Sequence, residues 1–314
     1  MPVTDPFDPR IGDLIVSTSS VPASAEVVCV LIGVPQDLGV IRNNGRPGAA
    51  EAPSAIRAAL GKLATSKIQD VVDAGRMCIA DHGDVATVGR TLEQIHDEQH
   101  DVVARVVERG HIPIVLGGGH DCAWPTIRAF ESVGKEYGVV NIDAHADVRP
   151  LLDGVHAHSG SPFRQMIETA PSHLLPGGFV EFGLQGAGVS AAHLKYVRDA
   201  GMHVVMLDES RMENIAFVWE RAYAHASLSG RAYVSLDMDA FASAYAPGVS
   251  APAADGFTPH EIGQCLRTAA SRGNLAAFDV VEMNPTFDVD GRTAKLAALM
   301  ISEVLTGLAI TLRR

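Results

Sequence analysis

Apolar runs separated by amphipathic stretches make up most of the chain. Seven of these runs are continuous rather than alternating, which is typical of strands buried on both faces of a parallel sheet. They cover residues 27–35, 112–119, 138–147, 179–186, 203–210, 231–241 and 275–285. Segments with helical periodicity, such as 92–110 and 259–273, lie between most of them. The alternation predicts a three-layer α/β/α fold with a central, mainly parallel sheet.

Two helices can be examined further from their ends and their charges. Thr258 is suited to cap a helix whose first turn contains Pro259. The apolar run at 293–312 carries Lys295 and Glu303, which favours a buried core helix over a membrane span. Because no linker, charge block or repeat divides the chain, we predict a single domain over residues 1–314.

Composition and charge narrow the class of protein. The 314 residues are 47% hydrophobic and 20% charged, with a net charge of −12, which disfavours nucleic acid or an anionic membrane as partner. Residues 1–13 lack the features of a signal peptide, so we expect a cytoplasmic location. The cysteines have no CxxC spacing and are expected to be buried thiols.

Polar side chains follow the apolar run in the stretch VVNIDAHADVRP, residues 139–150. Asp143, His145 and Asp147 are separated by one residue each, so all three would point to one side if the chain stays extended. Two carboxylates and an imidazole converging at a sheet edge are costly without a cation. The pattern therefore predicts a metal site.

Two further runs end in the same kind of residue. Asp237 and Asp239 close one run, and His120 follows three glycines at the end of another. Together with the first motif they give two imidazoles and four carboxylates. This set exceeds one tetrahedral zinc site and fits two divalent ions bridged by carboxylates, with Mn²⁺ favoured by the oxygen-rich ligands. Such sites activate a water, so the predicted chemistry is hydrolysis.

The sequence contains a further candidate for a metal-binding motif. HDEQH, residues 96–100, is similar to the H-E-x-x-H zinc motif with Asp97 in place of Glu. Because it lies in a helix dense with charge, we interpret it as a solvated helix face.

Four motifs resemble the arginase/agmatinase/formimidoylglutamase family of ureohydrolases, over about residues 33–300. They are GGGHD (117–121), NIDAHADVR (141–149), SLDMDAF (235–241) and VVEMNP (280–285). The resemblance implies an arginase-like α/β/α fold with two Mn²⁺ ions per subunit. It also implies a homo-oligomer, trimeric or hexameric.

The resemblance further assigns a role to each site residue. One Mn²⁺ would be bound by His120 and Asp147, the other by His145 and Asp239, and both would be bridged by Asp143 and Asp237. Glu282 would hold the cationic amidine or guanidine group of the substrate. Asp147 or a water would return a proton to the leaving nitrogen.

Arg149 points to an acidic substrate within this family. Arginase has Asn at that position, whereas an arginine fork suits a carboxylate. SGSPFRQ, residues 159–165, is similar to an element of formimidoylglutamases, and Ser159 stands where arginases and agmatinases carry a proton-transferring His. His158 is adjacent, but a neighbour on an extended chain points the opposite way. Arg46 and Arg164 are further candidates for a carboxylate, and Arg164 is equally suited to a salt bridge on its helix.

These features predict hydrolysis of a small acidic amidine. The expected reaction converts N-formimidoyl-L-glutamate to L-glutamate and formamide, a step of histidine degradation, through attack by a metal-activated hydroxide on the formimidoyl carbon. The alternative within the family is an agmatinase or guanidinobutyrase that releases urea. A non-catalytic member would be expected to lose metal ligands, and all six are present here.

Overall fold

A computed structural model of the protein describes residues 7–228 and 230–314. Residues 1–6, which belong to the N-terminal segment expected to lack a signal peptide, lie outside the described residues. Within residues 7–228 and 230–314, nine strands form one sheet: β1 Ile15–Ser17, β2 Val27–Gly33, β3 Met77–Asp84, β4 Ile112–Leu116, β5 Tyr137–Ile142, β6 Leu174–Leu184, β7 His203–Met206, β8 Ala232–Asp237 and β9 Leu275–Val281. Every neighbouring pair is parallel, in the order β1-β3-β2-β4-β9-β8-β5-β6-β7.

Helices cover both faces of the sheet, as predicted. They are α1 Ile11–Leu14, α2 Leu38–Arg42, α3 Ala52–Leu60, α4 Gln69–Asp73, α5 Leu92–Glu108, α6 Ala123–Val133, α7 Pro162–Thr169, α8 Ala191–Asp199, α9 Leu207–Met212, α10 Ile215–Ser227, α11 Pro259–Ala270 and α12 Arg292–Arg313. Short 3₁₀ turns cover Thr18–Ser20, Ala49–Glu51, His120–Cys122, Met238–Ala240 and Pro285–Phe287. The predicted three-layer α/β/α fold is confirmed.

Two apolar cores lie on opposite faces of the sheet. One contains Trp219 of α10 and Ile301 of α12, and the other contains Val103 of α5 and Ile127 of α6. Helix α12 is long and apolar enough to cross a membrane, but 72% of its apolar window is buried inside the protein. It is the core helix that the sequence predicted.

Helix caps agree with the sequence, whereas several element boundaries do not. The side chain of Thr258 accepts a hydrogen bond from the Glu261 amide, and α11 begins at Pro259. The run at 203–210 is only partly a strand, because the Glu209 carboxylate accepts a hydrogen bond from the Met206 amide and starts α9. Strands β1 and β3 were not predicted.

The central strands decide where polar loops can meet. Strands β4, β9, β8 and β5 are neighbours in the sheet, and all run in the same direction. In open parallel sheets, ligands bind at the carboxyl ends of the strands, near the point where the strand order reverses. The four loops that follow these strands therefore share one edge of the sheet.

Candidate active site

The loops after the four central strands bring the predicted side chains together. His120 follows β4, Glu282 follows β9, Asp237 ends β8, and Asp143 follows β5. The loop after β4 is tightly packed: a Cβ on Gly118 would lie 1.6 Å from the Gln36 carbonyl oxygen. A side chain at this position would displace the backbone that leads to His120.

The environment of His120 is suited to a cation. Its Nδ1 atom is buried and has no hydrogen-bond partner among the described residues. Three carboxylate oxygens nevertheless surround it, at 3.2 Å (Asp143 Oδ2), 3.1 Å (Asp147 Oδ2) and 3.2 Å (Asp237 Oδ2). One proton cannot serve four converging ligand atoms, whereas a metal ion can.

A second group of ligand atoms adjoins the first. His145 Nδ1 lies 3.2 Å from Asp239 Oδ2 and 3.5 Å from Asp143 Oδ1. Within each group the ligand atoms are all within 4.8 Å of one another, and Asp143 belongs to both. The six side chains could therefore hold two ions with Asp143 shared between them.

Electrostatics also favour a cation at this position. Burial raises the pKa of Asp237 well above its usual range, and the carboxylates of Asp239 and Asp143 add to the effect. Burial raises the pKa of Asp239 to about 6, and the Asp239 carboxylate raises the pKa of His145. Burial opposes protonation of His120, but the surrounding carboxylates raise its pKa well above the usual value. The raised pKa values show that the cluster binds protons when no other cation is present. Divalent ions can supply the same positive charge in place of those protons.

The extended-chain argument for the first motif was wrong, although its side chains do converge. Strand β5 ends at Ile142, and the Asp143 side chain accepts a hydrogen bond from the His145 amide at 2.7 Å. Asp147 has a φ of 45°, in the left-handed region. Asp237 accepts from the Asp239 amide at 2.7 Å in the same way. Side-chain turns at the strand ends gather the ligands, rather than the two-residue period of a strand.

A buried hydrogen-bond chain fixes the tautomer of His120. Its Nε2 atom lies 3.0 Å from Ser235 Oγ, which donates to Asp279 Oδ1 at 2.7 Å. Tyr233 also donates to Asp279. Because Ser235 uses its proton on Asp279, His120 donates from Nε2, so Nδ1 is the ring nitrogen that can give up its proton and bind a metal.

Glu282 lies against the same cluster. Its Oε1 atom accepts a hydrogen bond from the His120 amide at 3.0 Å, and its φ of 63° is left-handed. Burial raises the pKa of Glu282 to about 8, with a contribution from the carboxylates of Asp239 and Asp147. A cationic group bound beside Glu282 would keep this carboxylate ionised.

A cavity of about 100 Å³ opens onto the cluster. Its polar lining comprises Asn43, His145, Asp147, Arg149, Ser159, His193, Asp237, Asp239, Ser250 and Glu282. Arg149 donates to Asn43 Oδ1 at 3.4 Å, and Asn43 Nδ2 donates to Ser159 Oγ at 3.1 Å. The predicted residues Arg149 and Ser159 therefore lie in the same cavity as the carboxylates.

Arg46 and Arg164 are engaged elsewhere. Arg46 donates to the carbonyl oxygens of Val249 and Ser250, and its guanidinium lies 3.9 Å from the ring centroid of Phe287. Arg164 donates to Glu168 at 2.6 Å and stacks on Tyr196. Neither arginine is among the described residues that line the cavity. Arg46 therefore binds the backbone of the segment that contains Ser250. Arg164 forms the salt bridge on its own helix that was expected as the alternative to binding a substrate carboxylate.

His158 also uses both ring nitrogens for structure. Nε2 donates to the Pro150 carbonyl oxygen at 3.0 Å, and Nδ1 accepts from the Gly160 amide at 3.2 Å. The ring is buried beside the cavity lining rather than in it. This agrees with the expectation that His158 and Ser159 point to opposite sides.

Three polar residues of the cavity lining were not predicted from the sequence. Asn43 lies in the loop from which only Arg46 was selected, Ser250 follows no strand, and His193 lies on α8. No spacing signal distinguished them from other polar residues.

The interpretation of HDEQH as a solvated face was wrong for two of its residues. His96 and Gln99 are buried, and His96 Nε2 lies 2.8 Å from Asp121 Oδ2. Asp97 is exposed, as predicted. The buried positions repeat with helical periodicity along α5, so His96 and Gln99 face inward with the valines.

The fold, the two ligand groups and the family model together define the class of protein. The model of the arginase family matches residues 27–307, and the chain belongs to that family. The resemblance predicted from the four motifs is therefore confirmed, and with it the prediction of a hydrolase.

Its relatives are more specific. The formimidoylglutamase of Aromatoleum aromaticum is 36% identical over 283 residues, covering 87% of this chain and 81% of that protein. That of Rhodococcus opacus is 34% identical, with 88% and 85% covered. A crystal structure of Trypanosoma cruzi formiminoglutamase with Mn²⁺ superposes with a TM-score of 0.86 at 34% identity, covering 96% of this chain and 99% of that one.

Proposed function

We propose that the protein is a formimidoylglutamase, which hydrolyses N-formimidoyl-L-glutamate to L-glutamate and formamide with two Mn²⁺ ions. The observation that carries this proposal is the distribution of charge in one cavity. The metal-ligand carboxylates, Glu282 and the guanidinium of Arg149 all line this one cavity. A substrate with an amidinium at one end and carboxylates at the other matches that distribution.

The proposed metal ligands are the six clustered side chains. His120 and Asp147 would hold one ion and His145 and Asp239 the other, with Asp143, which belongs to both groups, and Asp237 as the proposed shared ligands. Bound divalent ions would supply a water activated for attack near neutral pH. The Nδ1 atom of His120, which has no hydrogen-bond partner among the described residues and faces the carboxylates while Nε2 is held by Ser235, fits this role.

Glu282 orients the substrate in this proposal. Its carboxylate pairs with the formimidoyl group and keeps that group cationic, so the central carbon stays electrophilic. Its own position is fixed by the His120 amide. Asp147, which is partly exposed in the cavity lining, is suited to pass a proton to the glutamate nitrogen as the C–N bond breaks.

Arg149 selects the acidic end of the substrate. Its contact with Asn43, which also bonds Ser159, ties the arginine to the cavity wall. A guanidinium fork can bind a carboxylate through two hydrogen bonds, and it repels the cationic amine of agmatine. In this proposal Ser159 contacts the substrate and does not transfer protons.

The reaction belongs to histidine degradation. We further propose that the chain acts as one domain, in the cytoplasm, as a trimer or hexamer of identical subunits. Apart from its own subunits, its proposed binding partner is a small acidic amidine substrate, and neither nucleic acid nor a membrane is expected to bind.

The proposal can be tested with purified protein loaded with Mn²⁺. N-formimidoyl-L-glutamate, agmatine, arginine and 4-guanidinobutyrate are supplied separately, and formamide, glutamate and urea are assayed. We expect formamide and glutamate from the first substrate alone. Urea from any other would instead support a ureohydrolase that acts on that guanidine, and no product from any of the four would support a non-catalytic member.

The Glu282→Gln variant tests the proposed orienting role. It should lower kcat by about 10²-fold or more, as does the loss of a single electrostatic contact in other hydrolases. Glu108→Gln, at the exposed end of α5, is the matched control and should keep wild-type activity.

A further inference from the structure

A buried carboxylate lies directly behind the proposed metal site without contributing to its cavity. Asp121 follows His120 in the sequence and is fully buried. Its Oδ2 atom lies 2.8 Å from His96 Nε2 and 2.7 Å from Gln36 Nε2. Burying a carboxylate is costly unless it is hydrogen-bonded, so these two donors are what makes the position of Asp121 tolerable.

Gln36 extends this contact to the segment that carries Asn43 of the cavity lining. Its Oε1 atom accepts from the amides of Leu38, at 2.9 Å, and Gly39, at 3.4 Å. These amides begin α2, which is followed by Asn43 of the cavity. The Gly39 carbonyl oxygen in turn accepts from the Ser159 amide at 3.0 Å. Asp121 is thus connected through one glutamine to Asn43 and Ser159.

Helix α5 holds the same two loops from behind. Glu93, His96 and Gln99 are spaced by three and lie on adjoining positions of one helix side. Glu93 pairs with Arg42 of α2 at 2.5 Å, and Gln99 donates to the Cys122 carbonyl oxygen at 2.7 Å. One helix side therefore contacts α2 through Glu93 and the segment after β4 through His96 and Gln99.

We propose that the α5 side formed by Glu93, His96 and Gln99, with Asp121 and Gln36, positions two loops against each other. The metal loop, residues 117–122, carries His120. The segment named the substrate loop, residues 37–43, comprises helix α2 with its flanking residues and carries Asn43. The names of the loops rest on the proposed function, whereas the contacts do not. The five are positioning residues, since all lie outside the described lining of the cavity.

Loss of the His96 donor should loosen both loops. In His96→Leu, Asp121 keeps one donor in place of two, and its tie to α5 is gone. Amide hydrogen exchange in residues 37–43 and 117–122 of the metal-free protein should accelerate about tenfold. The dissociation constant for Mn²⁺ should rise about tenfold, which is the usual effect of removing a partner behind a metal ligand. KM for N-formimidoyl-L-glutamate should rise as well.

Three other variants separate positioning from simple packing. Gln36→Leu removes the other donor to Asp121 and should have the same effects, so it decides the matter if His96→Leu does not fold. His96→Gln restores a side-chain N–H and should recover most of the Mn²⁺ affinity. His100→Leu is the same change on the same helix, at a ring that contacts Asp101 and Ser132 instead, and should behave as wild type.

The outcomes are distinguishable. Faster exchange in both loops with weaker Mn²⁺ binding supports the proposal. A lower Tm with unchanged loop exchange and unchanged Mn²⁺ affinity would overturn it and leave His96 as a packing residue. Acceleration in the metal loop alone would overturn the link to the substrate loop. Hydrogen exchange needs neither metal nor substrate, so a protein inactive on N-formimidoyl-L-glutamate would refute the proposed function and leave this test intact.

Discussion

Replacement of Arg149 by leucine tests how the cavity recognises an acidic substrate. The guanidinium lines the cavity and donates a hydrogen bond to the Asn43 side chain at 3.4 Å. Hydrogen bonds to a charged group contribute about 1.5–3 kcal/mol. Because Arg149 is exposed to solvent, we use the lower part of that range, about 1.5–2 kcal/mol. The expected loss in kcat/KM is therefore roughly 10- to 30-fold.

Most of this loss should be seen in KM. The carboxylates of the substrate are remote from the formimidoyl carbon, so their contacts are similar in the ground state and in the transition state. The assay measures initial rates of formamide release by Mn²⁺-loaded protein over a range of substrate concentrations. Arg164→Leu is the matched control, because Arg164 is paired with Glu168 and should leave KM near wild type.

A second substrate sharpens the comparison. An N-alkylformamidine without carboxylates should be equally poor for the wild type and for Arg149→Leu. If Arg149→Leu keeps the wild-type KM for N-formimidoyl-L-glutamate within about twofold, well below the tenfold step that 1.4 kcal/mol represents, the reasoning from Arg149 is refuted.

Three further predictions concern the cluster and its supports. Ser235→Ala leaves the buried Nε2–H of His120 without its acceptor, so Mn²⁺ affinity measured by calorimetry should fall roughly 10- to 100-fold, and unchanged affinity would contradict the tautomer assignment. Mn²⁺ at 100 times its dissociation constant should stabilise the protein by roughly 2.7 kcal/mol per site, so the Tm should rise with Mn²⁺ and fall with a chelator, and a Tm indifferent to both would contradict a metal site. Arg42 lowers the pKa of Glu93 from 4.5 to about 2, so this pair stabilises the fold above pH 4.5 and loses that effect as the pH falls towards 2. Arg42→Gln should therefore cost up to about 1 kcal/mol in urea unfolding at pH 7 and progressively less below pH 4.5, and a cost that grows on acidification would be the wrong sign.

The convergence of the six polar side chains was predictable from the sequence because of a general property of parallel sheets. Asp143, Asp237 and His120 each end an apolar run, and strands that run in parallel bring such ends to one edge. The reason given for the spacing of Asp143, His145 and Asp147 was nevertheless wrong. An Asp side chain can accept from an amide two residues on and bend the chain, so regular spacing does not imply an extended strand.

The partners of individual arginines could not be predicted. Arg46 and Arg149 both lie near polar loops, but only the folded structure shows that Arg46 donates to backbone carbonyls and that Arg149 lines the cavity. His193 was missed for a similar reason. It lies on α8 near the surface, where a histidine has no distinguishing pattern until the loops around it are in place.

The burial of His96 and Gln99 was predictable and was missed. Along α5 the buried residues are Leu92, Ile95, His96, Gln99, Val102, Val103, Val106 and Val107. The apolar members alone define the inward side, and positions 96 and 99 lie on it.

The most direct test of the account is a competition in one tube. Mn²⁺-loaded protein is given N-formimidoyl-L-glutamate, agmatine and 4-guanidinobutyrate at equal concentrations, and formamide and urea are measured together over time. The account predicts formamide with urea at the level of a protein-free control. Urea formed faster than formamide would contradict the claim that the cavity, whose lining contains both Glu282 and Arg149, is built for an acidic amidine.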